Sequence, residues 1–121
     1  MFATIAAGKY DELINFFEPD VSFETVTPPG VPIAGVWNGL AMVTEAIRTN
    51  FALVKNQQPQ VVSLTFEGPN RIKLVGKETG QSAQTGKTYS VDFVQIYDFK
   101  NVKIVKIYQE ITGADFANAF V

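Results

Sequence analysis

The sequence predicts an α+β domain on three observations. Apolar residues recur at helical spacing in the first half of the chain, and after Pro59 the period changes to two and persists through four segments. Turn residues separate those four segments, so the strands follow one another as a meander. Helices first and a long antiparallel meander afterwards indicate α+β rather than a parallel α/β sheet. At 121 residues and 46% hydrophobic, with no repeat and no linker-like stretch, residues 1–121 are expected to form a single domain.

Residues 1–7 carry Phe2 and Ile5 among three Ala and read as a short helix stopped at Gly8. In residues 10–17, Tyr10, Leu13, Ile14 and Phe17 fall on one helical stripe, and Pro19 ends it. Residues 21–26 alternate as a strand, and Thr27, Pro28, Pro29, Gly30 and Pro32 form a loop. The run Gly35-Val-Trp-Asn-Gly39 leads into the best helix, residues 40–55, with Val43, Ile47, Phe51 and Val54 on one side and Glu45 and Arg48 on the other. Residues 56–59 stop it.

Strands follow over residues 62–66 and 71–78, joined by the turn Gly68-Pro-Asn70. A polar loop at residues 79–86 precedes the strand of residues 88–99, and a tight turn near Lys100 and Asn101 leads to the last strand, residues 102–111. In residues 113–121 Phe116 and Phe120 are spaced for a final helical turn.

Composition restricts the chemistry. With no Cys and no His there is no disulfide, no thiolate or imidazole base, and no Cys- or His-ligated metal. Proton transfer is left to a carboxylate or a perturbed Lys or Tyr. Ten Lys+Arg against twelve Asp+Glu, without a basic cluster, argue against nucleic acid. No apolar run reaches the ~20 residues of a membrane span, and residues 1–7 lack the basic start of a signal peptide. A cytoplasmic location is the expectation, and no metal or cofactor is expected.

The segments Ala6-Ala-Gly-Lys-Tyr-Asp-Glu-Leu13, Phe17-Glu-Pro-Asp-Val21, Pro32-Ile-Ala-Gly-Val-Trp-Asn-Gly39, Thr85-Gly-Lys-Thr-Tyr89 and Phe99-Lys-Asn-Val-Lys-Ile104 resemble, in this order, the nuclear transport factor 2-like superfamily. The closer resemblance is to its SnoaL-like and ketosteroid-isomerase-like branch. It implies a cone, a strongly curved antiparallel sheet wrapped around N-terminal helices in a cystatin-like α+β roll, and a homodimer through the convex sheet face. The chain departs from the pattern in a shorter first helix, in Lys9 and in Val102, which replaces a Gly of the last turn.

By the same resemblance, the branch's catalytic groups are missing. A ketosteroid isomerase needs a carboxylate base near the first strand, but there is no Asp or Glu between Glu24 and Glu45. Its oxyanion Tyr falls on Met1 and its oxyanion acid on Gln95. The final-strand Asp of the limonene-epoxide-hydrolase branch falls on Gln109, and its Arg-x-Asp pair near Gly76 and Glu78. Scytalone dehydratase depends on His. No residue is therefore assigned as catalytic.

The resemblance also fixes which strand faces turn inward: Val91, Phe93, Gln95, Tyr97 and Phe99 on one strand, Val105, Ile107, Gln109 and Ile111 on the next. Asp92, Val94, Ile96 and Asp98 on the first of these, and Lys106, Tyr108 and Glu110 on the second, then face out. The expected pocket residues are Trp37, Phe51, Phe93, Gln95, Tyr97, Ile107 and Gln109. Two readings stand for each polar member. Trp37 lines the pocket or seals a loop, and the two Gln hold a ligand or bond to each other. Glu78 is the one carboxylate near the mouth, with a solvated strand end as its plain reading.

Three functions compete: a small apolar ligand held in an amide-lined cone; an isomerase, cyclase or hydratase acting on a steroid-, terpene- or polyketide-like substrate through Glu78, Asp92 or Tyr97; and a dimeric assembly module using Val94, Ile96 and Tyr108. Binding is the first reading, since an amide orients a ligand and does not titrate.

Overall fold

The computed structural model describes residues 15–121. The helix expected over residues 1–7, and residues 10–14 of the second, lie outside the described residues.

Six strands form one open sheet. They are β1 (Phe17–Val26), β2 (Gly35–Asn38), β3 (Val54–Phe66), β4 (Arg71–Ser82), β5 (Thr88–Lys100) and β6 (Lys103–Thr112), in the order β2-β1-β6-β5-β4-β3. Helix α1 (Leu40–Ala52) connects β2 to β3, and the single turn α2 (Ala114–Asn118) follows β6. The α+β class holds. The sheet is mixed, not wholly antiparallel, because β1 lies parallel to β6 while every other neighbour pair is antiparallel. The chain crosses from one end of the strand order to the other between β1 and β6, so their directions are not tied by a hairpin.

Several element bounds differ from expectation for local reasons. Phe17 and Pro19 belong to β1, not to a helix. Pro19 lacks an N–H, and it sits where the β1–β6 register breaks between Phe17 and Ser22, outside the ladder to β2. Residues 35–38 form a short edge strand that lacks the length to show a period. Helix α1 ends at Ala52, and residues 56–59 continue β3. Pro59 is tolerated because β3 is the outermost strand, and Asn56, with φ of 54°, lies in a register shift. The expected loop at residues 79–86 is half strand, since β4 runs to Ser82.

Helix α1 begins where Gly39 adopts φ of 89°, its N–H bonded to the Val21 carbonyl at 2.8 Å. Val43, Ala46 and Ile47 then bury against the sheet with Phe17, Val21, Phe23, Leu74, Tyr97, Ile104 and Ile107. A second apolar cluster gathers Val31, Ile33, Tyr89, Val91, Ile111 and Phe116 at the other end of the same face. Both clusters lie on the concave side, and the register shifts in β3 and β6 bend the sheet around them.

One face assignment is corrected. Asp98 pairs with Lys106 and Phe99 with Ile104, so Val105 is an extra residue on β6 and Ile104 takes the buried place. The bulge flips the face only upstream of Lys106, and Ile107, Gln109 and Ile111 keep theirs.

Candidate functional site

Strand pairing lines the concave residues up in rows across the sheet. One row is apolar and runs Trp37, Phe23, Ile107, Tyr97, Ile72 through β2, β1, β6, β5 and β4. The next runs Gly35, Thr25, Gln109, Gln95, Leu74. This second row is polar at its centre and separates the two apolar clusters.

Its geometry follows from side-chain size. A Cβ on Gly35 would stand 2.9 Å from the Trp37 indole, so the absence of a side chain lets the ring fold back over the row. The indole stacks on Phe23 with centroids 5.4 Å apart. On the far side of Thr25, the Tyr97 hydroxyl donates to Gln95 Oε1 at 2.8 Å, and Gln95 Nε2 donates to Gln109 Oε1 at 2.6 Å. The Gln109 NH₂ has no acceptor among the described residues. Beside it Thr25 is 2% exposed, and its Oγ1 has no hydrogen-bond partner. Burial pushes the Tyr97 phenol well above its ordinary range, so it stays protonated and keeps its donation to Gln95.

The expected residues divide accordingly. Trp37, Gln95, Tyr97, Ile107 and Gln109 share two adjacent rows. Tyr97 and Ile107 are themselves buried in the first cluster, and Phe51 packs on that cluster from α1. Phe93 belongs to the second cluster, its ring over Gly76, where a Cβ would come within 2.5 Å of it. Of the two readings of the Gln pair, the structure shows the bond between them. Thr25 escaped the sequence reading. Alternation places it with Val21 and Phe23, but only the parallel register of β1 on β6 brings it next to Gln109.

A second polar group lies two rows along. Glu78, opposite Val91, shares the concave face and is not a strand end. Tyr89 donates to Glu78 Oε2 at 2.8 Å, and Gln57 Nε2 lies 3.5 Å from both carboxylate oxygens. Burial first, then the Glu78 charge and hydrogen bond, hold the Tyr89 phenol above its ordinary value. Asp92 and Glu110 are exposed on the convex side, Glu110 accepting from Tyr108 at 3.2 Å.

Among the described residues, a cleft of about 430 Å³ opens beside Asn56, Gln58, Thr79, Gln81, Ser90 and Asp115, and it contains none of the seven expected residues. No three Asp or Glu side chains gather there as a metal site, and no helix is long and apolar enough to cross a membrane, again among the described residues.

Comparison with known proteins gives the frame. The family model for the SnoaL-like domain matches residues 1–107. A search of curated proteins finds no match. Among solved structures, an NTF2-like protein from Burkholderia xenovorans LB400 superposes with a TM-score of 0.79 at 23% identity, covering 98% of this chain and 88% of that one. TerC, co-crystallised with polyporic acid, gives 0.76 at 18% identity over 98% and 90%. A hypothetical protein with a ketosteroid isomerase-like fold from Catenulispora acidiphila, in complex with trimethylamine, gives 0.66 at 11% over 83% and 72%. At these identities the structural likeness shows the fold.

Proposed function

The chain belongs to the SnoaL-like domain family, and from that premise we propose that it binds a small apolar molecule on its concave face, against the row Thr25, Gln109, Gln95. The observation that carries this reading is the hydrogen-bond chain from Tyr97 through Gln95 to Gln109, which ends, between two apolar clusters, in an NH₂ that has no acceptor among the described residues. A few polar groups set in apolar walls are what a small-molecule site needs, and amides hold orientation without moving protons. Gln95 and Gln109 are each partly exposed, so these two amides can be reached from solvent, whereas Thr25 between them and β2 is buried.

Thermal unfolding with steroid-, terpene- and polyketide-like compounds tests the reading. A true ligand at 100 times its Kd stabilises the fold by ~2.7 kcal/mol, and Gln109→Leu should reduce that gain. The reading fails if no compound shifts the transition, or if the shift is untouched in the Gln109→Leu variant.

One observation favours a second reading, an isomerase, cyclase or hydratase. Glu78 faces the same concavity, two rows from Gln95, with Tyr89 bonded to it. A carboxylate so placed can serve as a general base. Under this reading Glu78→Gln abolishes turnover while ligand binding survives; turnover that persists in that variant rejects Glu78 as the base.

The dimer is part of the proposal. Val94, Ile96 and Tyr108 sit side by side on the convex face, in neighbouring register positions of β5 and β6. Light scattering at micromolar concentration should give twice the chain mass, and Ile96→Lys should halve it.

A further inference from the structure

We infer that the cleft across β3, β4 and β5 is a ligand site of its own, built for a neutral polyhydroxylated molecule such as a sugar. It shares no residue with the concave row. Strand pairing sets its floor on the convex side. Gln58, Thr79 and Ser90 stand directly opposite one another on the three strands, and in the next row Gln81 opposes Thr88. Neighbouring strands lie about 4.8 Å apart, and same-face residues of one strand about 6.8 Å apart. These side chains therefore form a grid of hydroxyls and amides on the scale of a pyranose ring. Asp115 from α2 lines the same cleft.

A bulge adds one more amide. Between the pairs Lys55–Gln81 and Gln58–Thr79, β3 carries one residue more than β4, and Asn56 sits in that shift with φ of 54°. Its Nδ2 donates to Gln81 Oε1, and Gln81 Nε2 donates to the Gly86 carbonyl at 3.3 Å. The two amides are thereby oriented, and Asn56 Oδ1 is left over as an acceptor. Gln58, Thr79, Thr88 and Ser90 make no side-chain hydrogen bond among the described residues. A ligand reaching them exchanges with water and breaks no bond of the fold.

The lining selects the class. A volume of about 430 Å³ lies within the roughly 300–1,000 Å³ of small-molecule sites. Tyr89, the one aromatic residue that lines the cleft among the described residues, is 3% exposed and gives its hydroxyl to Glu78, so there is no apolar wall. An apolar body would cover the hydroxyls and amides and pair with none of them. No Lys or Arg lines it among the described residues; Lys55, the register partner of Gln81, does not. An anion would meet the Asp115 charge without a counter-charge. A simple ammonium ion would use Asp115 and leave the amide N–H groups without an acceptor. Each hydroxyl of a polyol both donates and accepts, which is what a lining of amides, hydroxyls and one carboxylate can answer.

The test titrates the full chain with glucose, maltose, glucuronate and putrescine and follows its backbone amide signals by NMR. Glucose and maltose should shift the signals of Thr79 and Ser90 saturably and leave those of Thr25 in place, with glucuronate weaker than glucose. Thr79→Val and Ser90→Ala should each weaken maltose about three- to tenfold, the size of one hydrogen bond. Thr65→Val, which removes a hydroxyl from the same face of β3 outside the cleft, should leave maltose affinity unchanged. Asp115→Asn should narrow the gap between glucose and glucuronate, because it removes the charge that repels the acid. No shift by either sugar at roughly 0.1 M, a maltose affinity untouched in both Thr79→Val and Ser90→Ala, or tighter binding of glucuronate or putrescine than of glucose each overturns the inference. None of these outcomes bears on the concave-face reading, which has its own probes and its own variant.

Discussion

Gln95 donates its side-chain amide to Gln109 across 2.6 Å, between directly opposed positions of β5 and β6. Cross-strand pairs of this kind are the unit in which a sheet is stabilised. The pair is part-buried, and it is extended by Tyr97 on the same strand as Gln95.

Replacing both members should therefore cost less than the two single replacements added together. Gln95→Leu leaves Gln109 Oε1 without its donor and takes an acceptor from Tyr97, for an expected loss of about 1–2 kcal/mol. Gln109→Leu leaves Gln95 Nε2 unpaired, with a similar loss. The double variant puts two apolar groups face to face and should lose less than the sum, by a coupling of about 1 kcal/mol. Urea unfolding of the four proteins measures it, and strict additivity would show that the two amides act independently.

That pair was legible from the sequence because both strands keep an uninterrupted period of two around it. Alternation groups the residues of one face and the family resemblance says which group turns inward, and that assignment held from Val91 to Tyr97 and from Ile107 to Ile111. It failed at Val105, where a bulge adds one residue; a bulge leaves no mark in the order of apolar and polar residues. Glu78 was read as a strand end because the polar run after it hid the last residues of β4. Thr25 shows a deeper limit. Its neighbour Gln109 comes from the opposite end of the chain through a parallel pairing, and local pattern carries no information about which distant strands meet. The same limit applies to Phe51 and Phe93, which the sequence grouped and the fold assigns to different clusters.

The two buried phenols predict how stability responds to alkali. Burial raises both Tyr89 and Tyr97 above the ordinary phenol value of 10.0, and Glu78 adds to the effect at Tyr89. In the unfolded chain both ionise near that ordinary value, so above it the native state holds more protons than the unfolded state. Stability contributed by these groups is then complete below about pH 10 and falls as pH rises beyond it, by up to about 1.4 kcal/mol per unit for each phenol. Unfolding free energies measured from pH 8 upward should show the decline begin near pH 10. Tyr89→Phe and Tyr97→Phe should each flatten it, and a slope unchanged in both variants would contradict the assignment.

The β5–β6 turn carries the clearest local strain. Lys100 pairs with Lys103, so Asn101 and Val102 make up the whole turn, with φ of 52° and 67°. A two-residue turn with both residues left-handed matches the twist of the strands it joins, which is why Asn-Gly is favoured there. Asn tolerates that conformation, whereas a β-branched side chain presses its Cβ against the neighbouring carbonyl at a cost of about 1–2 kcal/mol. Val102 is 96% exposed, so burial returns almost none of this. Val102→Gly removes the clash and gives back about 0.5–1 kcal/mol in chain entropy, leaving a net gain of up to about 1 kcal/mol and a melting temperature a few degrees higher. Val102→Ala keeps a Cβ in the same place and should gain far less. If both variants melt together, the strain does not lie in the backbone of this turn.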